Sequence, residues 1–222
     1  MEIENIKINF LGHSGFLIEI HNKKIAIDPY NLSTNSEKAD YILITHSHYD
    51  HCSIKDIEKI SKEGTIIIIP PDAQSKITKI KNIHMEIIEV GDEITLGKIK
   101  VEAFPAYNLN KNFHEKKEGW MGFIIKGESI IIYHSGDCDK IPEMERLTGY
   151  GKKGNTFIAI LPVSGKYVMD PEEAAEAAEI IKANLSIPMH YGSGVIGTIE
   201  DAKTFVQLCE KKGLKAQILE KI

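Results

Sequence analysis

The chain has little cysteine, no apolar run long enough for a membrane span and no cluster of basic residues. Its 222 residues include three cysteines, Cys52, Cys138 and Cys209, which are far apart and form no CxxC pair. An odd, scattered set argues against a disulfide framework and against a zinc-ribbon site, and it suits a reducing compartment. We therefore expect a cytoplasmic protein.

The sequence also lacks the features that proteins use to bind membranes or nucleic acids. No apolar run approaches the roughly 18 residues of a membrane span, and the start, "MEIENIKINFLG", lacks the basic and apolar regions of a secretion signal. The net charge is -5, with no lysine or arginine cluster, which speaks against a nucleic-acid surface. We expect a small-molecule substrate, and neither a nucleic acid nor a membrane as partner. The sequence leaves a homo-oligomer open.

Short strand-like runs dominate the chain, with helices between them. Several runs, among them "TIIIIPP" and "TFIAILPV", are continuously apolar, which is typical of strands buried on both faces. Asp170-Pro171 is a strong helix start, with Asn184 as the predicted end of that helix, and a last helix is predicted over about 200–212. Two buried sheets flanked by helices, in a single α/β domain over 1–222, is the economical solution.

The densest cluster of ionisable groups is "HSHYDH", directly after the apolar run "YILIT". It places His46, His48, Asp50 and His51 in one loop. Imidazoles and carboxylates this close compete for protons unless a cation lies between them, whereas a polar loop of satisfied histidines is the bland alternative. Zinc binds imidazole nitrogen at about 2.0–2.1 Å and carboxylate oxygen at about 2.0–2.2 Å. The nitrogen and oxygen set predicts a site for Zn²⁺, Mn²⁺ or Fe.

Three other strand-like runs, one before this cluster and two after it, are also followed by a side chain of a type that binds metals. Asp28 follows "IAI", Asp137 follows "IIIYHSG" and His190 follows "SIPM". Gly136 directly precedes Asp137, and Gly192 lies two residues after His190. Both glycines allow a tight turn and a close backbone approach.

Together these motifs resemble the metallo-β-lactamase superfamily of binuclear hydrolases. HxHxDH at 46–51, GD at 136–137 and a strand-end histidine at 190 follow the order of that family. "LGHSGFLIE" and "PMHYG" resemble its compact lactonase-like branch, which includes the ascorbate-phosphate lactonases. The resemblance covers essentially the whole chain and implies a four-layer αββα sandwich, an α/β (α+β) fold.

The resemblance also implies which residues hold two divalent ions, Zn²⁺ or Mn²⁺ above all. His46 and His48 belong to the first metal, and Asp50, His51 and His190 to the second. Asp137 bridges the two metals, and Asp28 orients a ligand imidazole without touching a metal.

The implied reaction is attack by a metal-bridged hydroxide on a carbonyl or phosphoryl centre. Asp50, Asp137 and His190 are the catalytic candidates, with Asp50 or a water passing the proton to the leaving group.

One position departs from the family pattern. A third histidine of the first site is expected after "KIKVEAFPA", where this chain has Tyr107 and Asn108. Either His114 reaches back as the ligand, which we favour, or Asn108 replaces it weakly, or the first site is impaired. Tyr107 could instead contact substrate.

Several other side chains near these motifs are candidates for supporting roles. We expect His13 and His134 to support ligands or line the site rather than bind metal themselves. The segment 108–118 is a candidate lid whose Lys111, Lys116 and Lys117 could attract an anionic substrate, although a solvated charged loop is the simpler interpretation.

The sequence thus predicts a metal-dependent hydrolase acting on a small ester, lactone or phosphoester. An RNA or nucleotide phosphodiesterase is the first alternative, and the acidic net charge argues against a polymeric substrate. The second alternative is a metal-binding protein of the same fold whose catalysis is weak or lost.

Overall fold

The structure, a computed structural model, describes residues 1–3, 6–152 and 154–222. Its contacts divide the chain into two compact units, 1–89 with 219–222, and 90–218. Each unit is built on one mixed sheet.

The first unit contains a seven-stranded sheet in sequential order. The first four strands are antiparallel, and the last four, counting the shared fourth, are parallel. The strands are β1 (Glu2–Ile3), β2 (Ile6–Gly12), β3 (Gly15–Ile20), β4 (Lys23–Ile27), β5 (Tyr41–Leu43), β6 (Thr65–Ile69) and β7 (Ile83–Ile87).

Two helices accompany this sheet, α1 (Ile54–Ile60) and the short α2 (Gln74–Ile77), which follows a 3₁₀ turn at Pro71–Ala73. Helix α1 presents Ile57 and Ile60 to a cluster of buried strand residues that includes Leu17, Ile42 and Ile67. The helical spacing of its isoleucines therefore buries one face.

The second unit contains a six-stranded sheet in which β8 to β11 are antiparallel neighbours and β11, β12 and β13 run parallel. The strands are β8 (Glu93–Leu96), β9 (Ile99–Pro105), β10 (Met121–Lys126), β11 (Ile130–His134), β12 (Thr156–Pro162) and β13 (Leu185–Met189). Residues 157–161 of β12 are fully buried, which confirms the prediction drawn from its continuous apolar run.

Helices α3 (Pro171–Ile181) and α4 (Ile199–Lys211) pack on each other, α3 against β12 and α4 against β13. Two 3₁₀ turns lie at Lys116–Glu118 and Pro142–Leu147. Asp170 caps α3 by accepting a hydrogen bond from the Glu173 amide, and Thr198 caps α4 in a capping box. The predicted helix start at Asp170 is confirmed, and the last helix begins at Ile199, next to the predicted start at about residue 200. Within the described ranges, no helix is long and apolar enough to cross a membrane.

The predicted end of the first of these helices is wrong. Lys182, not Asn184, takes the left-handed conformation that closes α3. Asn184 lies beyond the helix, and its side-chain oxygen accepts a hydrogen bond from the Phe157 amide at 2.7 Å. The asparagine serves the neighbouring strand, a tertiary contact that helix-end rules cannot anticipate.

Candidate metal centre

In the first unit, adjacent parallel strands carry candidate ligands to one sheet edge. Asp28 follows β4 and the loop 44–53 follows β5, and these strands pair in parallel. The Asp28 amide donates to the Leu43 carbonyl at 3.0 Å. Parallel strands end at the same edge, where α/β proteins place their ligands, so the polar residues after both strands lie together.

The buried carboxylate of Asp28 forms hydrogen bonds with two residues of the loop 44–53, Thr45 and His51. Its carboxylate is fully buried and accepts hydrogen bonds from the Thr45 amide at 2.9 Å and the Thr45 hydroxyl at 2.6 Å. His51 Nδ1 lies 2.8 Å from the same carboxylate. Because an ionised carboxylate only accepts, His51 carries its proton on Nδ1 and offers the lone pair of Nε2.

His46 is oriented by the same network. Its Nδ1 lies 2.9 Å from the Thr45 hydroxyl oxygen. That hydroxyl already gives its hydrogen to Asp28, so it accepts from His46 Nδ1. The lone pair of His46 is then on Nε2, which lies 3.1 Å from Nδ1 of His48.

This spacing tests whether a metal fits. Two ligand atoms of a tetrahedral site at about 2.1 Å from the ion lie about 3.4 Å from each other. The 3.1 Å between the His46 and His48 nitrogens is close to that value, with nitrogen donors that suit zinc. The two imidazoles fit a shared cation.

A second group of donors in this unit contains His13, Asp50 and His51, whose ligand atoms lie within 4.8 Å of one another. His13 Nε2 is 3.0 Å and His51 Nε2 is 3.9 Å from Asp50 Oδ2. All three residues are buried. The sequence assigns His13 a supporting role, and the structure places its nitrogen directly against the Asp50 carboxylate.

In the second unit, three parallel strands carry another set of polar residues to one edge. Asp137 lies in the turn after β11, Ser164 follows β12 and His190 comes directly after β13, and these strands are neighbours in the sheet. Gly197 lies under this edge, because a Cβ there would stand 2.6 Å from the His190 carbonyl oxygen. Only glycine permits that approach.

Asp137 is the centre of the second set. Its Oδ2 lies 3.1 Å from His190 Nε2 and 3.4 Å from His114 Nε2. Ser164 Oγ is 2.7 Å from His190 Nδ1. The carboxylate and the two imidazoles are almost completely buried, and their spacing again matches that of ligands around one ion.

The segment around His114 brings this histidine to Asp137. His114 Nδ1 lies 3.0 Å from the Tyr167 carbonyl, to which it donates, so its Nε2 carries the lone pair. The Asn108 amide group donates to the Phe113 and Tyr167 carbonyls at 2.8 and 2.7 Å. The Asn108 side chain is thus used in hydrogen bonds that fix the loop, whereas His114 directs the lone pair of Nε2 towards Asp137. This arrangement favours His114 as the metal ligand.

The remaining predicted site residues have other partners. The Tyr107 hydroxyl donates to Glu143 at 2.8 Å, and Lys116 lies 3.2 Å from the same hydroxyl. Burial, followed by the hydrogen bond to Glu143, raises the pKa of Tyr107. His134 is fully buried at the end of β11, where its Nδ1 accepts from the Gly136 amide at 3.2 Å, and so shapes the turn that carries Asp137.

Four of these residues adopt a backbone conformation that is rare outside glycine. The φ angles are 56° for His13, 43° for Asp28, 56° for His114 and 64° for His190. Such conformations cost free energy and collect at functional sites.

The cysteines next to the motifs are poor metal thiolates. Burial raises the pKa of Cys52 to about 11 and raises that of Cys138 further above its usual range. A thiol is a ligand only as thiolate, and burial disfavours this charged form at both cysteines.

Two residues that hold candidate ligands were not predicted in these roles from the sequence. Thr45 links Asp28 to His46, and Ser164 lies against His190 Nδ1. Each follows a strand of its sheet directly or within two residues. That shared position is the signal that could have found them.

The chain is similar to known proteins over nearly its whole length. The model of the Beta-lactamase superfamily domain matches residues 7–190 and so spans both units. The chain is 33% identical over 220 residues to a UPF0173 metal-dependent hydrolase from Nanoarchaeum equitans, covering 97% of each protein. It is 34% identical over 198 residues to a UPF0173 metal-dependent hydrolase from Thermoplasma acidophilum, covering 86% of this chain and 85% of the relative.

A crystal structure of a candidate metal-dependent hydrolase from Parabacteroides distasonis superposes with a TM-score of 0.82 at 29% identity, covering 97% of this chain and 94% of that one. These findings confirm the predicted α/β sandwich fold and the prediction of an enzyme, a metal-dependent hydrolase. The chain belongs to the β-lactamase superfamily, in its metallo-β-lactamase-fold branch of metal-dependent hydrolases.

Proposed function

We propose that this hydrolase cleaves a small ester, lactone or phosphoester with the help of two divalent ions, Zn²⁺ or Mn²⁺. The ligands in this proposal are His46, His48, Asp50, His51, His114, Asp137 and His190. One observation carries it. Four of the five imidazoles have Nδ1 hydrogen-bonded to a protein group, Thr45, Asp28, the Tyr167 carbonyl or Ser164.

Anchoring of Nδ1 is the arrangement that metal-binding histidines use. It fixes the ring and raises the basicity of the nitrogen that binds the ion. Satisfied structural histidines would not need Nε2 atoms spaced at ligand distances from a carboxylate, as His114 and His190 are from Asp137.

Bound divalent ions would lower the pKa of water towards neutrality and polarise a carbonyl or phosphoryl oxygen. The chain's own residues then position and move the proton. Asp50 is 7% exposed and lies against His13, so its carboxylate can accept the proton of the attacking water and hand it to the leaving group. His13 holds that carboxylate in place.

The proposed substrate is a small molecule, and the proposed location is the cytoplasm. The net charge of -5 disfavours a polyanion, because nucleic-acid binding depends on basic residues that neutralise phosphates. The resemblance to the lactonase-like branch supports lactones as the first substrates to test.

The first experiment is metal stoichiometry by elemental analysis, on protein equilibrated with Zn²⁺ or Mn²⁺. We expect two ions per chain, and a fall towards one in His114→Ala, since this change removes one proposed ligand. His84→Ala is the matched control, because His84 is exposed on β7, and it should keep both ions.

One ion in both the parent protein and His114→Ala would show that His114 is not a ligand. No ion at all would overturn the proposal. Hydrolysis is then measured on a panel of lactones, carboxylic esters and phosphodiesters, and activity on none of them would exclude this substrate range.

A further inference from the structure

Large apolar side chains are exposed next to the candidate ligands. Among the described residues, seven large hydrophobic side chains are exposed, and three of them adjoin the site motifs in the chain. Tyr49, 65% exposed, stands between His48 and Asp50. Phe113, 46% exposed, precedes His114. Single exposed apolar residues are ordinary, and a function is indicated where such side chains lie together beside a candidate ligand.

In the second unit, one of these side chains belongs to an aromatic pair. The rings of Phe113 and Tyr167 meet edge to face, with centroids 4.7 Å apart. The carbonyl of Tyr167 accepts the hydrogen bond of His114 Nδ1, so both members of the pair are tied to the same candidate ligand. Leu109, 51% exposed, lies in the same segment.

The lysines of this segment have acidic partners. Lys111 pairs with Asp139 and lies 3.7 Å from Glu173. Lys116 lies 3.0 Å from Glu143.

Lys117 lies 2.8 Å from Glu115. Because each lysine of the segment 108–118 has its own carboxylate, this segment offers apolar contact rather than net positive charge. The nearby ammonium of Lys166 lies 5.0 Å from the centroid of the Tyr167 ring, in a cation–π contact with one ring of the pair.

We propose that Phe113 and Tyr167, with Leu109, bind an uncharged alkyl or aryl group of the substrate. The inference rests on the proposed function and narrows its substrate class to esters and lactones with an apolar substituent. The scissile group lies at the His114 end, and the substituent lies along the ring pair. Tyr167 and Phe113 are then specificity-determining residues.

The test measures binding of linear carboxylates, acetate, butyrate, hexanoate and octanoate, to the zinc-loaded full chain by isothermal titration calorimetry. Each additional methylene that the carboxylate buries against this partly exposed surface is expected to raise its affinity about two- to fourfold. Phe113→Ala should flatten this dependence on chain length, and Phe113→Leu should retain most of it. Ile199→Ala, a side chain of similar exposure (44%) on α4, should leave it unchanged.

Affinity that does not rise with chain length, or that rises equally in Phe113→Ala, would overturn the inference. The chain-length dependence separates lost binding from lost folding, because a misfolded variant would bind none of the four anions. The same series as p-nitrophenyl esters separates the two proposals. Hydrolysis without chain-length preference overturns this inference alone, whereas chain-length-dependent binding without any hydrolysis overturns the proposed function alone.

Discussion

At the scale of the single residue, Asp28 has the largest consequences. One buried carboxylate receives the Thr45 amide and hydroxyl and the Nδ1 of His51. Through Thr45 it also sets the tautomer of His46. Two candidate ligands therefore depend on an acid that touches no metal in the proposed scheme.

We predict that Asp28→Asn lowers zinc affinity by about 10- to 100-fold, the usual effect of removing the partner of a ligand imidazole. The amide can present its nitrogen to His51 Nδ1, which then loses its charged acceptor. Zinc affinity is measured by competition with a chromogenic chelator.

Asp56→Asn is the matched control. Asp56 is also a buried acid of the first unit, and it accepts hydrogen bonds from the Asn31 and Leu32 amides. Its loss should lower stability and spare zinc affinity. Equal affinity losses in the two variants would mean that Asp28 acts only through folding.

The sequence predicts the cluster at 46–51, Asp137 and His190, because each of them follows the end of a strand and the ends of neighbouring parallel strands lie close together. It also points to Asp28 through the family pattern. It does not reveal that His13 approaches Asp50, since a lone histidine in a turn carries no spacing signal. Nor does it decide between His114 and Asn108, because that choice depends on how a loop closes.

At the scale of the element, the loop between β9 and β10 is held by buried polar contacts. Asp139 is a buried residue, 2% exposed. Its carboxylate accepts a hydrogen bond from the Leu109 amide at 2.8 Å and forms an ion pair with Lys111. Further along, Lys116, Glu143 and Tyr107 form a second set of contacts. Both ends of the segment that carries His114 are thus fixed.

We predict that Lys111→Met destabilises the protein more than Asp139→Asn does. The first change leaves a buried carboxylate without its cation, which typically costs about 3–5 kcal/mol. The second leaves a lysine whose side chain is 24% exposed and which still lies near Glu173, so water and that acid compensate it. Urea unfolding of both variants gives the two free energies.

The opposite order would show that the hydrogen bond from the Leu109 amide to Asp139, and not the ion pair, holds the loop. Exposed Lys117→Met supplies the control, because surface ion pairs contribute about 0–1 kcal/mol. Loss of metal from Lys111→Met at unchanged folding would further link this loop to His114.

The helix starts at Asp170 and Thr198 were predictable because capping is local chemistry. The loop 106–120 was not, since its shape depends on the ion pairs of Lys111 with Asp139 and of Lys116 with Glu143, whose partners are 28 and 27 residues apart in the chain. Trp120 is half-buried, with its ring centroid 5.4 Å from that of His114.

At the scale of the whole molecule, metal binding is coupled to folding, because the nitrogen and oxygen atoms that would bind a cation come together only in the folded chain. Neither candidate set exists in an unfolded chain, so an ion that binds only the folded state stabilises it. Each unit contributes a set built on parallel strand ends.

We predict that removal of metal by a chelator lowers the melting temperature. Zinc at 100 times its dissociation constant contributes about 2.7 kcal/mol per site, and about 1 kcal/mol corresponds to about 2–4 °C in a protein of this size. The expected fall is therefore about 5–11 °C per site, measured by differential scanning calorimetry.

Zn²⁺ or Mn²⁺ should restore the melting temperature, whereas Mg²⁺ should not, because a histidine-rich set does not suit a cation that prefers oxygen and retains its waters. A melting temperature that ignores chelator and zinc alike would contradict metal binding by these residues.

The left-handed backbone of His13, Asp28, His114 and His190 bears on how this enzyme can change over evolutionary time. Glycine at any of these four positions would relieve a conformational cost of order 1–3 kcal/mol, while it removes a side chain that belongs to the proposed metal site or supports it. Variants selected for heat resistance alone are therefore expected to lose activity at these positions first, since stability and catalysis place opposite demands on the same residue. A search for a more robust enzyme should leave these four positions untouched and make its changes elsewhere.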